Sequence, residues 1–267
     1  MAMAYVLILS GYGINCERET QFAFERAGAR ADIVHINDLI ENPKILDNIQ
    51  ILVIPGGFSY GDDTGAGNAL ANKIRNHLSE KARRFIEADN LALGICNGFQ
   101  VITNLGLLPA LGRDYGKRVV ALVHNDSARY SDRWVDLKFS GRSVWTQRIQ
   151  RMMLPIAHGE GKFYTDAETL RQLNKKNLIA AKYVNGEICI YQSLPFNPNG
   201  SLEDIAGITD ESGRVLGMMP HPERAIDFTH LPHWTFLNEK LKREGKDIPK
   251  EGPGIQIFKN GVDYFRK

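Results

Sequence analysis

A cysteine placed between a strand and a helix, and a histidine two residues from a glutamate, are the features of this sequence best suited to chemistry. Ala92-Leu93-Gly94-Ile95-Cys96-Asn97-Gly98-Phe99-Gln100 reads as a buried strand that runs through G-x-C-x-G into a helix. Small residues at Gly94 and Gly98 suit a sharp strand-to-helix turn, where the nucleophile sits in a strained backbone position and a neighbouring side chain would clash. Such a turn pushes the sulfur out at the sheet edge. A thiol at a helix N-terminus also meets the positive end of the helix dipole and free N–H groups, which favour the thiolate. A cysteine in apolar surroundings is more often a small buried hydrophobe, but the flanking glycines point to a nucleophile here.

A thiolate nucleophile needs a base and a group that orients the base. Of the seven histidines, His221 is the best candidate. It follows the apolar run Val215 to Met219 and lies between Pro220 and Pro222, which stiffen the segment and bar a helix. In an extended segment, Glu223, two residues on, can turn its carboxylate to one imidazole nitrogen and leave the other for a third group. His158, in Ala157-His158-Gly159-Glu160-Gly161, is the competitor. His35, His77 and His124 fall in strand or helix patterns, and His230 and His233 near the tail.

The other two cysteines serve as controls. Cys189, in Glu187-Ile188-Cys189-Ile190-Tyr191, reads as a strand residue used for packing. Cys16 lies in the loop after the first strand; it can line a site but lacks an elbow and is read as non-nucleophilic. A third element is the glycine-rich loop from Ile54-Pro55-Gly56-Gly57-Phe58 to Gly67, whose freed backbone N–H groups suit an oxyanion. A phosphate cradle is the rival reading. Neither the Walker lysine nor G-x-G-x-x-G is present, which favours the oxyanion.

These residues must be positioned by a scaffold. Through about residue 110, the continuous apolar runs Tyr5 to Leu9, Ile33 to Ile36, Ile51 to Ile54 and Leu91 to Ile95 predict strands covered on both faces. Helical patterns over Glu17 to Ala27, Asn68 to Ala88 and Asn97 to Asn104 alternate with them. This is the βαβ pattern of a doubly wound, mostly parallel α/β sheet, with sites at the carboxyl ends of strands. The second half carries shorter β patterns around Val119 to His124, Trp134 to Phe139, Ile179 to Val184 and Ile188 to Gln192. Asn185-Gly186 and, more weakly, Ser212-Gly213 predict hairpins, so antiparallel extensions of the same domain are expected.

The chain has 267 residues, 43% of them apolar and 24% charged, enough to bury a large core and too ordinary for disorder or a collagen-like repeat. Its 33 basic and 31 acidic residues leave a net +2, which gives no electrostatic case for nucleic acid or a membrane surface. Three cysteines without C-x-x-C spacing indicate neither a disulfide framework nor a zinc site. No run of about 18 apolar residues occurs, and the N-terminal segment lacks a targeting pattern. A cytoplasmic protein is expected. Residues 1–230 read as one domain and 231–267 as an extension. That extension carries eight basic and five acidic residues, a net +3. It is read either as a solvated tail packed through Trp234, Phe236, Ile257 and Phe258, or as a docking element for a partner.

The elbow, the upstream P-G-G loop and the distant H-P-E, in that order over roughly residues 5 to 228, resemble class I (triad) glutamine amidotransferases, a flavodoxin-like family. Gly94 to Gln100, Pro55 to Asp62, Ala157 to Gly161, Asn197 to Ser201 and Met218 to Arg224 are most similar to the glutaminase components of phosphoribosylformylglycinamidine synthase. The resemblance implies that Cys96 attacks the glutamine side-chain amide, His221 carries protons and Glu223 orients it. It assigns the oxyanion to the N–H groups of Gly57 and Asn97, and substrate contacts to Gly56, Phe58, Gln100 and His158, with no metal. It further implies that ammonia passes to a separate synthetase subunit that uses ATP and magnesium, often joined by a small accessory subunit. No ATP motif or cofactor site is read in this chain. Two departures stand out: Asp63-Thr64-Gly65-Ala66-Gly67 replaces a bulky residue and an Arg after Asp62, and the tail after about Asp227 is long. The alternatives are a glutaminase serving a different synthetase and a non-catalytic binding module.

Overall fold

A computed structural model describes residues 3–62 and 64–266, so Asp63 of the glycine-rich loop lies outside the described residues. The four apolar runs form β1 (Tyr5–Ser10), β2 (Arg30–His35), β3 (Ile51–Ile54) and β4 (Leu91–Ile95). Between and after them lie the helices α1 (Glu17–Arg26), α2 (Ile36–Glu41), α3 (Asn68–Glu87) and α4 (Asn97–Asn104). All five residues of β4 and all eight of α4 are buried, as expected where a parallel strand and its following helix are covered on every side.

The second half adds β5 (Val120–Val123), β6 (Ser131–Phe139), β7 (Arg151–His158), β8 (Lys162–Thr165), β9 (Ile179–Tyr183), β10 (Ile205–Thr209) and β11 (Val215–Met218). Among the described residues, nine strands form one sheet in the order β2-β1-β3-β4-β11-β10-β9-β6-β7. The first five pair in parallel and the remaining contacts are antiparallel. The doubly wound sheet with antiparallel extensions is therefore present, and its parallel half has the flavodoxin-like strand order. β5 and β8 stand apart as a two-stranded sheet. The Ser212-Gly213 turn joins the antiparallel β10 and β11.

The second predicted hairpin does not form. After α5 (Ala167–Lys175), residues Glu187–Gln192 make the helix α6 instead of a strand. Ile188 and Cys189 are both buried while Ile190 and Tyr191 are 67% and 79% exposed, a helical grouping that alternation along a strand cannot produce. The cause is a remote acceptor: Asp136 on β6 takes the N–H of Cys189 at 2.9 Å. Gly186 is extended (φ −159°, ψ −171°) and makes no turn. Cys189 is buried as expected for packing, but on a helix.

The chain ends in α7 (Trp234–Arg243) and α8 (Ile255–Asp263), which behave differently. α8 buries Ile255, Ile257, Phe258 and Val262; Phe258 packs edge-on against Phe24 of α1 at 5.0 Å between ring centroids. Its approach is fixed by the N–H groups of Gly252 and Gly254, which donate to Ile226 and Ala225 at 2.8 Å each. α7 buries none of its residues, and Phe236 is 61% exposed. Of the four anchors expected in the tail, Ile257 and Phe258 are buried, Trp234 is half-buried and Phe236 lies in solvent. Among the described residues no helix is long and apolar enough to cross a membrane.

β7 ends at His158 in a polar network that shapes the Ala157 to Gly161 turn. Asn125 donates through Nδ2 to the His158 carbonyl at 2.9 Å, and its Oδ1 lies 3.2 Å from His158 Nδ1 and accepts from Gly161 N–H at 3.1 Å. Burial first, then the nearby His221, pushes the His158 pKa down to about 3.

Two predictions follow from this packing. Phe258→Ala should cost about 3–5 kcal/mol of stability as a core truncation, whereas Phe236→Ala should stay within about 0.5 kcal/mol, both measured by urea unfolding. His158 stays neutral in the folded chain but protonates near pH 6.5 when unfolded, so it lowers stability as pH falls below 6.5 and has no effect above it. Between pH 6.5 and 5 its share is about 2 kcal/mol. His158→Gln should flatten the pH dependence of unfolding over that interval by about this amount; an unchanged slope would contradict the buried neutral imidazole.

Candidate active site

β4 delivers Cys96 to the carboxyl edge of the sheet in the conformation expected of an elbow. Cys96 adopts φ 51°, ψ −106°, a region that costs a residue with a side chain on the order of 1–3 kcal/mol. The turn is held on both sides: Cys96 N–H donates to Met218 at 2.8 Å and its carbonyl accepts from Gln100 N–H at 3.2 Å. Gly98 explains why the helix can begin so abruptly. A Cβ there would stand 1.7 Å from the Ile54 carbonyl oxygen, so the first turn of α4 rests directly on the end of β3. Asn97, the first residue of α4, has a backbone N–H outside the helix ladder.

β11 runs parallel to β4 with Met218 opposite Ile95, and the chain continues to His221 at the same edge. His221 N–H donates to the Pro155 carbonyl at 2.8 Å, and Pro222–Arg224 form one short 3-10 turn. That turn folds Glu223 back on the imidazole: His221 Nδ1 lies 2.6 Å from Glu223 Oε1, with both residues 2% exposed. Burial alone pushes an imidazole toward neutrality. The Glu223 carboxylate, then the Cys96 and Cys16 sulfurs, outweigh it and hold His221 well above the ordinary histidine value. Nε2, the other ring nitrogen, has no hydrogen-bond partner among the described residues.

The P-G-G loop closes a third side. The Gly56 carbonyl accepts from Asn15 and Cys16 N–H at 3.3 and 3.2 Å, and Phe58 N–H donates to Gly13 at 2.7 Å. Gly57 takes φ 153°. Phe58 is partly exposed and tilts against Tyr130 with ring centroids 6.0 Å apart. Ser59 N–H donates to Asn97 Oδ1 at 3.2 Å, tying the loop to α4.

Gln100 is buried, and both ends of its amide are engaged. Oε1 accepts from Asn97 Nδ2 at 2.9 Å and Nε2 donates to the Glu160 carbonyl at 2.5 Å. It thus shapes the turn after β7. His158 lies within the Asn125 network, while the carbonyl of Ala157 stands 3.6 Å from Cys96 Sγ. The structure places the Cys96 elbow, the His221–Glu223 pair and the Gly56–Phe58 loop around one edge, with Gln100 and His158 in the layer beneath.

Sequence reasoning passed over several neighbours. Glu160 links the turn after β7 to the glycine-rich loop by accepting Ala66 N–H at 3.1 Å. Tyr130 sits near enough to Cys96 for that sulfur, after burial, to raise its hydroxyl pKa. Arg224 donates to Cys16 Sγ at 3.0 Å. Only Glu160 and Arg224 had a signal, as members of quoted motifs; Tyr130 lies in a loop without one. One group among the described residues has metal-like spacing, with donor atoms of Cys16, His221 and Glu223 within 4.8 Å of one another. His221 and Glu223 already bond each other there, and Arg224 brings a cation to the sulfur.

Residues 3–265 match the family model of the CobB/CobQ-like glutamine amidotransferase domain. The chain is 50% identical over 265 residues to the phosphoribosylformylglycinamidine synthase subunit PurQ of Methanococcus maripaludis, covering 98% of this chain and 97% of that protein. It is 42% identical to the protein of the same description from Dehalococcoides mccartyi, over the full length of both. Its fold matches a chain of the solved PurLQS structure from Thermotoga maritima with a TM-score of 0.71 at 28% identity, covering 98% of this chain and 99% of that one. The chain thus belongs to the glutamine amidotransferases and, among them, to the PurQ family of glutaminase subunits.

Proposed function

We propose that Cys96, His221 and Glu223 are the catalytic triad with which this glutaminase subunit releases ammonia from glutamine for formylglycinamidine ribonucleotide synthesis. The observation that carries the reading is the buried 2.6 Å His221–Glu223 contact at the same sheet edge as a cysteine held at φ 51°. Glu223 fixes the imidazole with Nδ1 as donor and leaves Nε2 to exchange protons. His221 takes the Cys96 proton, and the sulfur adds to the side-chain carbonyl carbon of glutamine. The oxyanion is met by the N–H groups of Gly57 and Asn97. Collapse breaks the C–N bond; the imidazolium gives its proton to the leaving ammonia, and a glutamyl thioester remains. Water, deprotonated by His221, then releases glutamate and restores the thiol.

Phe58, with Gly56 beside it, lines the approach to the thiol, while Gln100 and His158 act on the substrate through the turn that they shape. The released ammonia passes to a separate synthetase subunit that uses ATP and magnesium to aminate formylglycinamide ribonucleotide, with a small accessory subunit completing the complex. The PurLQS match supports a multi-subunit assembly, and the setting is cytoplasmic. Residues 1–230 form the amidotransferase body, which α8 of the 231–267 extension completes by packing on α1, while the exposed α7 is left for docking.

Cys96→Ser in the reconstituted complex should abolish glutamine-dependent synthesis and leave ammonia-dependent synthesis intact; equal loss of both would sink the assignment. Glu223→Gln keeps the shape and removes the charge that holds the imidazole. It should lower glutamine-dependent kcat by about 10²-fold or more while leaving the ammonia-dependent rate unchanged, as followed by parallel assays with the two nitrogen donors.

A further inference from the structure

Cys16 is not an isolated packing residue. It is 1% exposed, and its sulfur receives a hydrogen bond from Arg224 Nη2 at 3.0 Å while lying 3.1 Å from Asn15 Oδ1, to which its S–H donates. The sulfur thus engages Arg224 as an acceptor and Asn15 as a donor. Arg224 immediately follows Glu223 and ends the short turn that carries the triad pair. Cys16 itself is fixed from three directions: its N–H donates to Gly56, and its carbonyl accepts from Thr20 N–H at 3.1 Å and Thr20 Oγ1 at 2.7 Å. A Cβ on Gly56 would stand 2.7 Å from His221 Cε1 and 3.1 Å from Cys16 Sγ, so thiol, imidazole and loop backbone fill one small space.

We propose that Cys16 is a positioning residue for the glutaminase reaction: it clamps the Arg224 guanidinium, and through it fixes the turn that sets Glu223 against His221. The backbone of the turn is tied to β7 through His221 N–H and, directly behind it, to Gly254 through the Ala225 carbonyl. Cys16 adds an anchor on the side chain of the turn, from the β1–α1 loop 208 residues away in sequence. It also keeps a cation close to a buried carboxylate whose Oε2 has no hydrogen-bond partner among the described residues. Sulfur suits this place because it accepts a guanidinium N–H with little demand for hydration. Alanine offers no acceptor, and serine offers one at a shorter reach.

The inference rests on the triad reading, which Cys96→Ala tests separately by the expected loss of all glutamine turnover. In the full chain reconstituted with its synthetase, Cys16→Ala should lower glutamine-dependent kcat about tenfold with the KM for glutamine within about twofold. Cys16→Ser should restore most of that loss. Arg224→Met should lower kcat to the same degree, and the double variant should lose no more than either single one. Thermal melting of each variant separates lost positioning from lost folding; if Cys16→Ala melts early, the comparison is made between Cys16→Ser and Arg224→Met. Full kcat in Cys16→Ala beside a dead Cys96→Ala overturns the positioning role alone. So do multiplicative losses in the double variant, or a loss expressed in KM. Turnover that survives Cys96→Ala defeats the triad reading itself.

Discussion

A carboxylate shielded from solvent is tolerated only where fixed partners replace its hydration, and Glu223, 2% exposed, imposes that demand on everything around it. His221 meets one oxygen at 2.6 Å. Arg224, half-buried on the same turn, adds a positive charge whose own protonation is reinforced by Cys16 and Glu223 against the cost of burial. Because the pair is shielded from solvent, a small rotation of either side chain cannot be repaired by water. The turn is correspondingly short, bounded by prolines on one side and held by backbone hydrogen bonds on the other. The raised His221 pKa is one outcome of this arrangement; an imidazole with one ring nitrogen unpartnered among the described residues is the other.

The sheet converts that local demand into a geometry. β4 and β11 are parallel neighbours in register, and such strands lie about 4.8 Å apart. Their carboxyl ends therefore release Cys96 and the His221 segment side by side, without long side chains having to bridge a gap. β3, on the other side of β4, ends in the Gly56–Phe58 loop and so completes the edge. β7 is the far strand of the sheet, yet its Pro155 carbonyl accepts His221 N–H and its Ala157 carbonyl lies 3.6 Å from Cys96 Sγ. The antiparallel end thus curls back over the carboxyl edge, in keeping with the twist of long sheets. The extensions added to the parallel half are a wall of the site.

Much of this was legible in the sequence because its physical causes are local. Continuous apolar runs mark strands covered on both faces, and G-x-C-x-G marks a turn that only small neighbours permit. The two-residue spacing of His221 and Glu223 likewise marks their contact, although a 3-10 turn makes it and not the expected extended segment. What was hidden depends on contacts between distant residues. Glu187 to Gln192 alternates well enough to pass for a strand, and only Asp136, 53 residues earlier, shows why it coils. The strand Arg151–His158 contains a proline and showed no pattern that singled it out. Cys16 carried no elbow, and its neighbour Arg224 lies at the opposite end of the chain. Gln100 was legible as a member of the motif, but its ties to Asn97 and Glu160 were not.

In the tail, charge and attachment are separate matters. Four of its basic residues are matched within the tail itself: Arg243 with Glu239, Lys246 with Glu244, Lys259 with Glu251 and Arg266 with Asp263. Exposed pairs of this kind contribute roughly 0–1 kcal/mol each, so they do not hold the tail in place, and because each pair is neutral the tail's net +3 is unchanged by them. What holds it is apolar. Ile257, Phe258 and Val262 are fully buried, and the hydrogen bond from Gly254 to Ala225 begins α8 immediately behind the turn that carries Glu223 and Arg224. Through that contact the last helix becomes part of the support for the turn that sets Glu223 against His221.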